Sequence, residues 1–108
     1  MKKSLLMLCV AILSVSVLWA QEKKPYSVVF YNLENLFDIY NDPETHDDEF
    51  TPEGVKQWNE IKYQKKLSNM ERVLFDIAAI NKEYPVVIGV SEIENRTVLE
   101  DLISQPKL

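Results

Sequence analysis

The chain has 108 residues, a formal net charge of −5 and a single cysteine, Cys9. An acidic balance excludes attachment to a nucleic-acid backbone by charge alone, yet it suits a metal site, where the bound cation supplies the positive field locally. One cysteine excludes an intrachain disulfide.

The first residues read as an address. Lys2 and Lys3 form a basic start, and Leu5 to Leu18 is an apolar run softened by small polar residues such as Ser14 and Ser16. Ala20 then precedes an abrupt return to polarity at Gln21-Glu22-Lys23-Lys24. This is the pattern of a secretory signal peptide over residues 1–20, with cleavage after Ala20. Leu18 is larger than the residue such sites prefer three positions before the bond, which leaves neighbouring bonds open. The competing reading is an uncleaved anchor, but the run is shorter than the ~20 residues a spanning helix needs. No stable membrane insertion is therefore expected after cleavage. Leu8 stands before Cys9 where a bacterial lipobox has a small residue, which excludes lipidation. Residues 21–108 are then an exported, periplasmic or extracellular chain without cysteine, and exported domains of this size generally rely on disulfides or a metal for stability.

Gln21 to Pro25 is a polar leader. Ser27 to Tyr31 is rich in β-branched and aromatic residues, and its continuous apolar character predicts a strand buried on both faces. Asn41 to Gly54 carries two prolines, a glycine and the carboxylates of Asp42, Glu44, Asp47, Asp48, Glu49 and Glu53. It is a long acidic loop, and loops of that length in small domains are functional or disordered. It lacks the spacing of an EF-hand, so it is no specific Ca²⁺ signature. From about Trp58 the period changes. Ile61, Leu67, Met70, Val73, Leu74, Ile77, Ala78 and Ile80 recur at spacings of three and four, which predicts an amphipathic helix with one apolar stripe. Pro85 disfavours helical geometry at Tyr84 and closes it. Val86 to Val90 is a second buried strand, and Asn95 is the N-cap of a helix through Val98, Leu99, Leu102 and Ile103, closed by Pro106. A helical crossover of this length makes the two strands parallel.

Three phrases carry a resemblance: Tyr31-Asn32-Leu33-Glu34-Asn35-Leu36-Phe37-Asp38, Asp48-Glu49-Phe50-Thr51-Pro52-Glu53-Gly54, and Ser91-Glu92-Ile93-Glu94-Asn95-Arg96 leading to Val98-Leu99-Glu100-Asp101-Leu102. In this order they resemble the endonuclease/exonuclease/phosphatase family, the deoxyribonuclease-I-like phosphodiesterases, in its secreted bacterial branch. The resemblance implies an α/β fold, with residues 21–108 as the N-terminal portion of a four-layer α/β sandwich, in the order strand, loop, helix, strand, helix. It implies that Asn32 lies beside the metal and the scissile phosphate, and that Glu92 is a direct ligand of a divalent cation. Mg²⁺ is the expected ion, with Mn²⁺ or Ca²⁺ as alternatives. Ser91 stands where the family usually has glutamine. Alternation along the strand and the family match favour Glu92 over Glu94, while Asn35 and Arg96 are read as capping or surface residues.

The partner implied is a phosphoester, with nucleic acid among the candidates, because the family cleaves DNA, RNA and lipid phosphodiesters from one scaffold. The family's aspartate–x–asparagine pair, its catalytic histidines and its final serine–aspartate–histidine motif match nothing in this chain. The one histidine, His46, falls in the acidic loop and is read as a solvated side chain. The expectation is therefore the first third of a phosphodiesterase, inert by itself for want of a general base. The alternative is a non-catalytic secreted module that binds a cation or a partner.

Overall fold

A computed structural model of the chain describes residues 1–4, 7 and 25–108. The apolar run, Cys9, the bond after Ala20 and the polar leader from Gln21 to Lys24 lie outside the described residues. Among the described residues no helix is long and apolar enough to cross a membrane.

The elements follow the expected order. They are β1 (Val28–Leu36), a 3₁₀ turn (Asp48–Phe50), α1 (Glu60–Asn81), β2 (Val87–Ile93) and α2 (Arg96–Ile103). The strands form a two-stranded parallel sheet with Val28 opposite Val87 and Asn32 opposite Ser91. The fold class is thus α/β, as expected. Both strands run further than the apolar runs alone indicated, because polar residues at their C-terminal ends continue the ladder through an irregularity between Asn32 and Leu36.

The core lies on one side of the sheet. Leu33 and Leu36 from β1, Tyr63, Leu67 and Met70 from α1, and Val98 and Leu102 from α2 form one buried cluster, with Tyr31, Val90 and Ile93 packed against it. Each such side chain contributes roughly 1.5–3 kcal/mol when removed from water. The opposite face of the sheet is open, which corrects the expectation of strands buried on both faces. Val28 is 69% exposed, Phe30 75% and Val87 57%. Gly89 lies under the Phe30 ring, where a Cβ would meet Cδ2 at 2.9 Å.

The stripe of α1 also differs in register from its apolar periodicity. Leu67, Met70, Leu74 and Ala78 are buried, but Ile61 and Ile80 are exposed, and Tyr63 and Glu71 are inside. Polar partners explain the two unexpected members. Tyr63 donates to Asp101 Oδ2 at 2.8 Å, and Glu71 Oε1 accepts from the Lys107 amide at 2.6 Å. Asn59 caps α1 through Lys62 N, and Asn95 caps α2 through Val98 N at 2.9 Å. The C-terminus of α1 is set one step before the proline's influence. Lys82 takes a left-handed conformation, φ 57°, and its amide reaches the Ala78 and Ala79 carbonyls, satisfying groups that a helix end leaves without partners.

Candidate functional site

Where β1 and β2 end, the ladder changes register. Asn32 pairs with Ser91 and Leu36 with Ile93, so Leu33, Glu34 and Asn35 stand opposite Glu92 alone. This is an extended bulge, and bulges bend a strand and re-aim its side chains. Three residues there have left-handed backbones: Glu34 (φ 52°), Asn35 (φ 61°) and Glu92 (φ 56°).

The bulge brings Asn32 and Glu92 together. Asn32 Nδ2 donates to Glu92 Oε1 at 2.9 Å. Asn32 Oδ1 accepts from the Glu34 amide at 2.7 Å, so the side chain is held at both ends and its amide hydrogens face the carboxylate. Both residues are exposed at the rim. Strict alternation would place Glu92 and Glu94 on one face, which corrects the expectation that alternation separates them. The left-handed turn at Glu92 breaks that alternation, and Glu94 instead accepts from the Asp38 amide at 2.9 Å. The two glutamates therefore serve different places, for a reason that strand periodicity does not supply.

Lys66 on α1 completes the rim from below. Its Nζ donates to the Glu34 carbonyl and, at 3.0 Å, to the Asn35 carbonyl. The ammonium lies 5.7 Å from the centroid of the Trp58 ring, which is fixed by its own bond from Nε1 to the Phe37 carbonyl at 2.9 Å. Burial lowers the Lys66 ammonium below the usual lysine range, while the nearby carboxylates of Glu34 and Glu92 pull it back up. Lys66 was not legible in the sequence. It stands one position before Leu67, at the border of the apolar stripe, where lysines ordinarily face solvent.

A second group of carboxylates lies behind the rim. Asp47, from the acidic loop, is only 1% exposed. Its Oδ2 accepts from the Asp42 amide at 3.0 Å, whereas its Oδ1 has no hydrogen-bond partner. Glu94 is close enough to feel its charge. Burial pushes the Glu94 carboxyl above the ordinary carboxylate range; the Asp38 amide opposes this, and the charges of Asp38 and Asp47 add to it. The acidic loop is ordered around this group rather than solvated throughout. Phe50 stacks on Phe37 at 4.3 Å between centroids, and Trp58 meets the Phe50 ring edge-on at 6.0 Å.

Two of the remaining sequence candidates fall outside the rim contacts, and the third, Asn35, enters them through its backbone. His46 is exposed on the loop, and Arg96 pairs with Glu100 along α2 at 2.7 Å. Asn35 contributes its carbonyl to Lys66.

The model of the Endonuclease/Exonuclease/phosphatase family matches residues 27–108. The chain belongs to that family. Its matched span runs from the residue before β1 to the end of the chain and contains every rim residue described above. Comparisons with curated proteins and with solved structures gave no significant match.

For an endonuclease/exonuclease/phosphatase chain the donors at the rim can be weighed against the demands of a hard cation. Among the described residues no group of three or more histidine, cysteine, aspartate or glutamate side chains is arranged to hold an ion. What the rim offers is the Glu92 carboxylate, with one oxygen engaged by Asn32. That donor set fits Mg²⁺, which keeps several waters and binds proteins through one or two carboxylates together with substrate phosphates. It does not fit a cage of protein ligands alone.

Proposed function

We propose that the chain is the N-terminal part of an exported, divalent-metal-dependent phosphodiesterase, with Glu92 as a metal ligand and Asn32 beside the scissile phosphate. The single observation that carries this reading is the Asn32–Glu92 hydrogen bond at the C-terminal rim of two parallel strands. Open α/β sheets bind their ligands at that end of the strands, and here an exposed carboxylate and an oriented amide meet there. Membership in a family of phosphoester hydrolases supplies the substrate class.

Each side chain then has a defined task. Glu92 holds negative charge at an exposed oxygen suited to Mg²⁺, Mn²⁺ or Ca²⁺. Asn32 keeps its oxygen on the Glu34 amide and directs its amide nitrogen at the Glu92 carboxylate, beside the place assigned here to the scissile phosphate. A bound divalent cation would neutralise charge on that phosphate. No histidine enters the rim's hydrogen bonds, and without the family's histidine base residues 21–108 alone are expected not to turn over.

Mn²⁺ titrated into the ¹⁵N-labelled full chain tests this reading. Paramagnetic broadening should centre on the Asn32 side-chain amide and the Ser91 and Glu92 backbone amides. Glu92→Gln should weaken Mn²⁺ binding on the order of a hundredfold, at the upper end of what even indirect ligand changes cost, and Glu94→Gln should leave it near the starting value. Hydrolysis of bis-p-nitrophenyl phosphate should stay at the buffer rate. Broadening centred on Asp38, Asp47 and Glu94, and indifferent to Glu92→Gln, would overturn the assignment and favour a cation-binding module built on the acidic loop.

A further inference from the structure

We infer that Lys66 is the positioning residue of this rim: by holding the bulge of β1 from the helix beneath, it sets the orientation of Asn32 toward Glu92. The inference rests on the reading of Asn32 and Glu92 as the working pair and adds a residue to it.

A backbone carbonyl left out of a ladder takes its donor from water or from a side chain. Along the regular part of the sheet the ladder supplies one to the carbonyls that face the partner strand. Between Asn32 and Leu36 the ladder is broken, because Leu33, Glu34 and Asn35 face Glu92 alone. The carbonyls of Glu34 and Asn35, both exposed residues, lie in this gap, and Lys66 Nζ donates to both in place of water. An ammonium has three donors, so one side chain serves two consecutive carbonyls at a single point.

The conformation so held is one that the chain disfavours. Glu34 and Asn35 both have positive φ. Asparagine tolerates this region better than most residues, whereas each non-glycine residue held there costs on the order of 1–3 kcal/mol unless its surroundings enforce it. Lys66 is the enforcement. Its own position is fixed, since the stem ends beside the Trp58 ring and Trp58 is tied to the Phe37 carbonyl. The consequence reaches the site through one bond. With Glu34 turned this way, its amide meets Asn32 Oδ1 at 2.7 Å, and the opposite end of the same amide group is then directed at Glu92 Oε1. Release of Lys66 frees the Glu34 amide, and with it the rotation of Asn32.

Lys66→Met keeps an apolar stem and removes the donors. Lys66→Arg keeps a cation whose planar fork can serve two carbonyls. In the Mn²⁺ experiment on the full chain, the informative quantity is the broadening of the Asn32 side-chain amide relative to that of the Glu92 backbone amide. Lys66→Met should lower this ratio several-fold while the Glu92 amide still broadens, and Lys66→Arg should restore it. A role in stability alone would lower the melting temperature and leave the ratio where it was. That result, or an Arg variant as impaired as the Met variant, overturns the inference. If Lys66→Met does not fold, the Arg variant decides by itself: a wild-type ratio supports the assignment and a collapsed ratio refutes it. If Mn²⁺ broadens neither group in the unaltered chain, the metal reading fails separately. Lys66 is then judged from metal-free spectra, where the two Asn32 amide proton shifts must converge in the Met variant and separate again in the Arg variant.

Discussion

Replacing Asp47 with asparagine should stabilise the chain, although it alters a buried side chain. Asp47 is enclosed, with one oxygen satisfied by the Asp42 amide and the other without a donor. A buried polar atom left unpaired costs about 1–3 kcal/mol. Glu94 faces it, and two carboxylates cannot satisfy each other unless one carries a proton. In Asp47→Asn the carbonyl oxygen can keep the Asp42 amide, and the new amide nitrogen can donate to the Glu94 carboxylate. We expect a gain of about 1–2 kcal/mol at pH 7, or roughly 4–15 °C in melting temperature for a domain of this size.

The pH dependence supplies the stricter test. The folded-state value of Glu94 is raised, chiefly by burial and further by Asp38 and Asp47. A raised carboxyl binds its proton more tightly folded than unfolded. Its contribution is therefore fully present below the ordinary value of 4.5 and is lost as pH climbs through the folded value. Urea melts between pH 4 and 7.5 should show stability falling across that interval. Asp47→Asn should flatten the fall without abolishing it, because burial and Asp38 remain. The gain should shrink toward pH 4, where Glu94 in the unaltered chain is protonated and can donate to Asp47. A variant that is less stable at pH 7, with its pH slope unchanged, would refute the reasoning and mean that the Asp47 charge is used by something other than Glu94.

Two further outcomes test the architecture. Gly54→Ala should destabilise the acidic loop by about 2 kcal/mol or more, since a Cβ there would overlap the Asp48 carbonyl and lie 2.8 Å from that of Glu49; equilibrium denaturation measures it, and a loss below about 0.5 kcal/mol would show that the loop is free to shift. Phe30→Lys should reduce binding of a hydrophobic dye, because Val28, Phe30 and Val87 form an exposed apolar face of the kind that marks an interaction surface; unchanged fluorescence at equal helical content would place the dye elsewhere.

Much of the architecture was legible because local and global signals agree. The three-and-four spacing of Leu67, Met70, Leu74 and Ala78 shows the stripe that α1 buries, and Asn95 before Val98 marks a helix start that the structure realises with a 2.9 Å bond. Legibility fails where a side chain's environment is set by a distant element. Tyr63 is internal with Asp101 of α2 as its partner, and Ile61, two positions earlier, is exposed because it lies on the opposite face of α1. Nothing in the local pattern distinguishes Lys66 from its neighbour Lys65, yet the bulge it serves lies more than thirty residues earlier. The same holds for Asp47, which stands in an acidic run with solvated neighbours and is singled out only by the fold. The proximity of Asn32 and Glu92 follows from the parallel pairing, but their separation from Glu94 depends on one left-handed residue that no periodicity announces.

The distribution of that unusual geometry is itself informative. Among the described residues five that are not glycine have positive φ: Glu34, Asn35, Gln57, Lys82 and Glu92. Lys82 has a local reason, since it terminates α1 and its amide satisfies two carbonyls of the last turn. Gln57 also has one, lying in the tight turn that closes on the Gly54 carbonyl at 2.8 Å just before the Asn59 cap. The other three meet at the rim, and two of them are glutamates, a residue type without asparagine's tolerance for this region. A regular pairing through this stretch would have been cheaper for a sheet alone. It would also have left Asn32 without the Glu34 amide that orients it and set Glu92 on the same face as Glu94. The irregular rim is offset by the sealed contacts immediately around it, Leu33 and Leu36 in the core and Lys66 on the free carbonyls. Unfavourable backbone persists only where the surrounding structure enforces it, and here it gathers on Glu34, Asn35 and Glu92, around the contact that the strand ends make between Asn32 and Glu92.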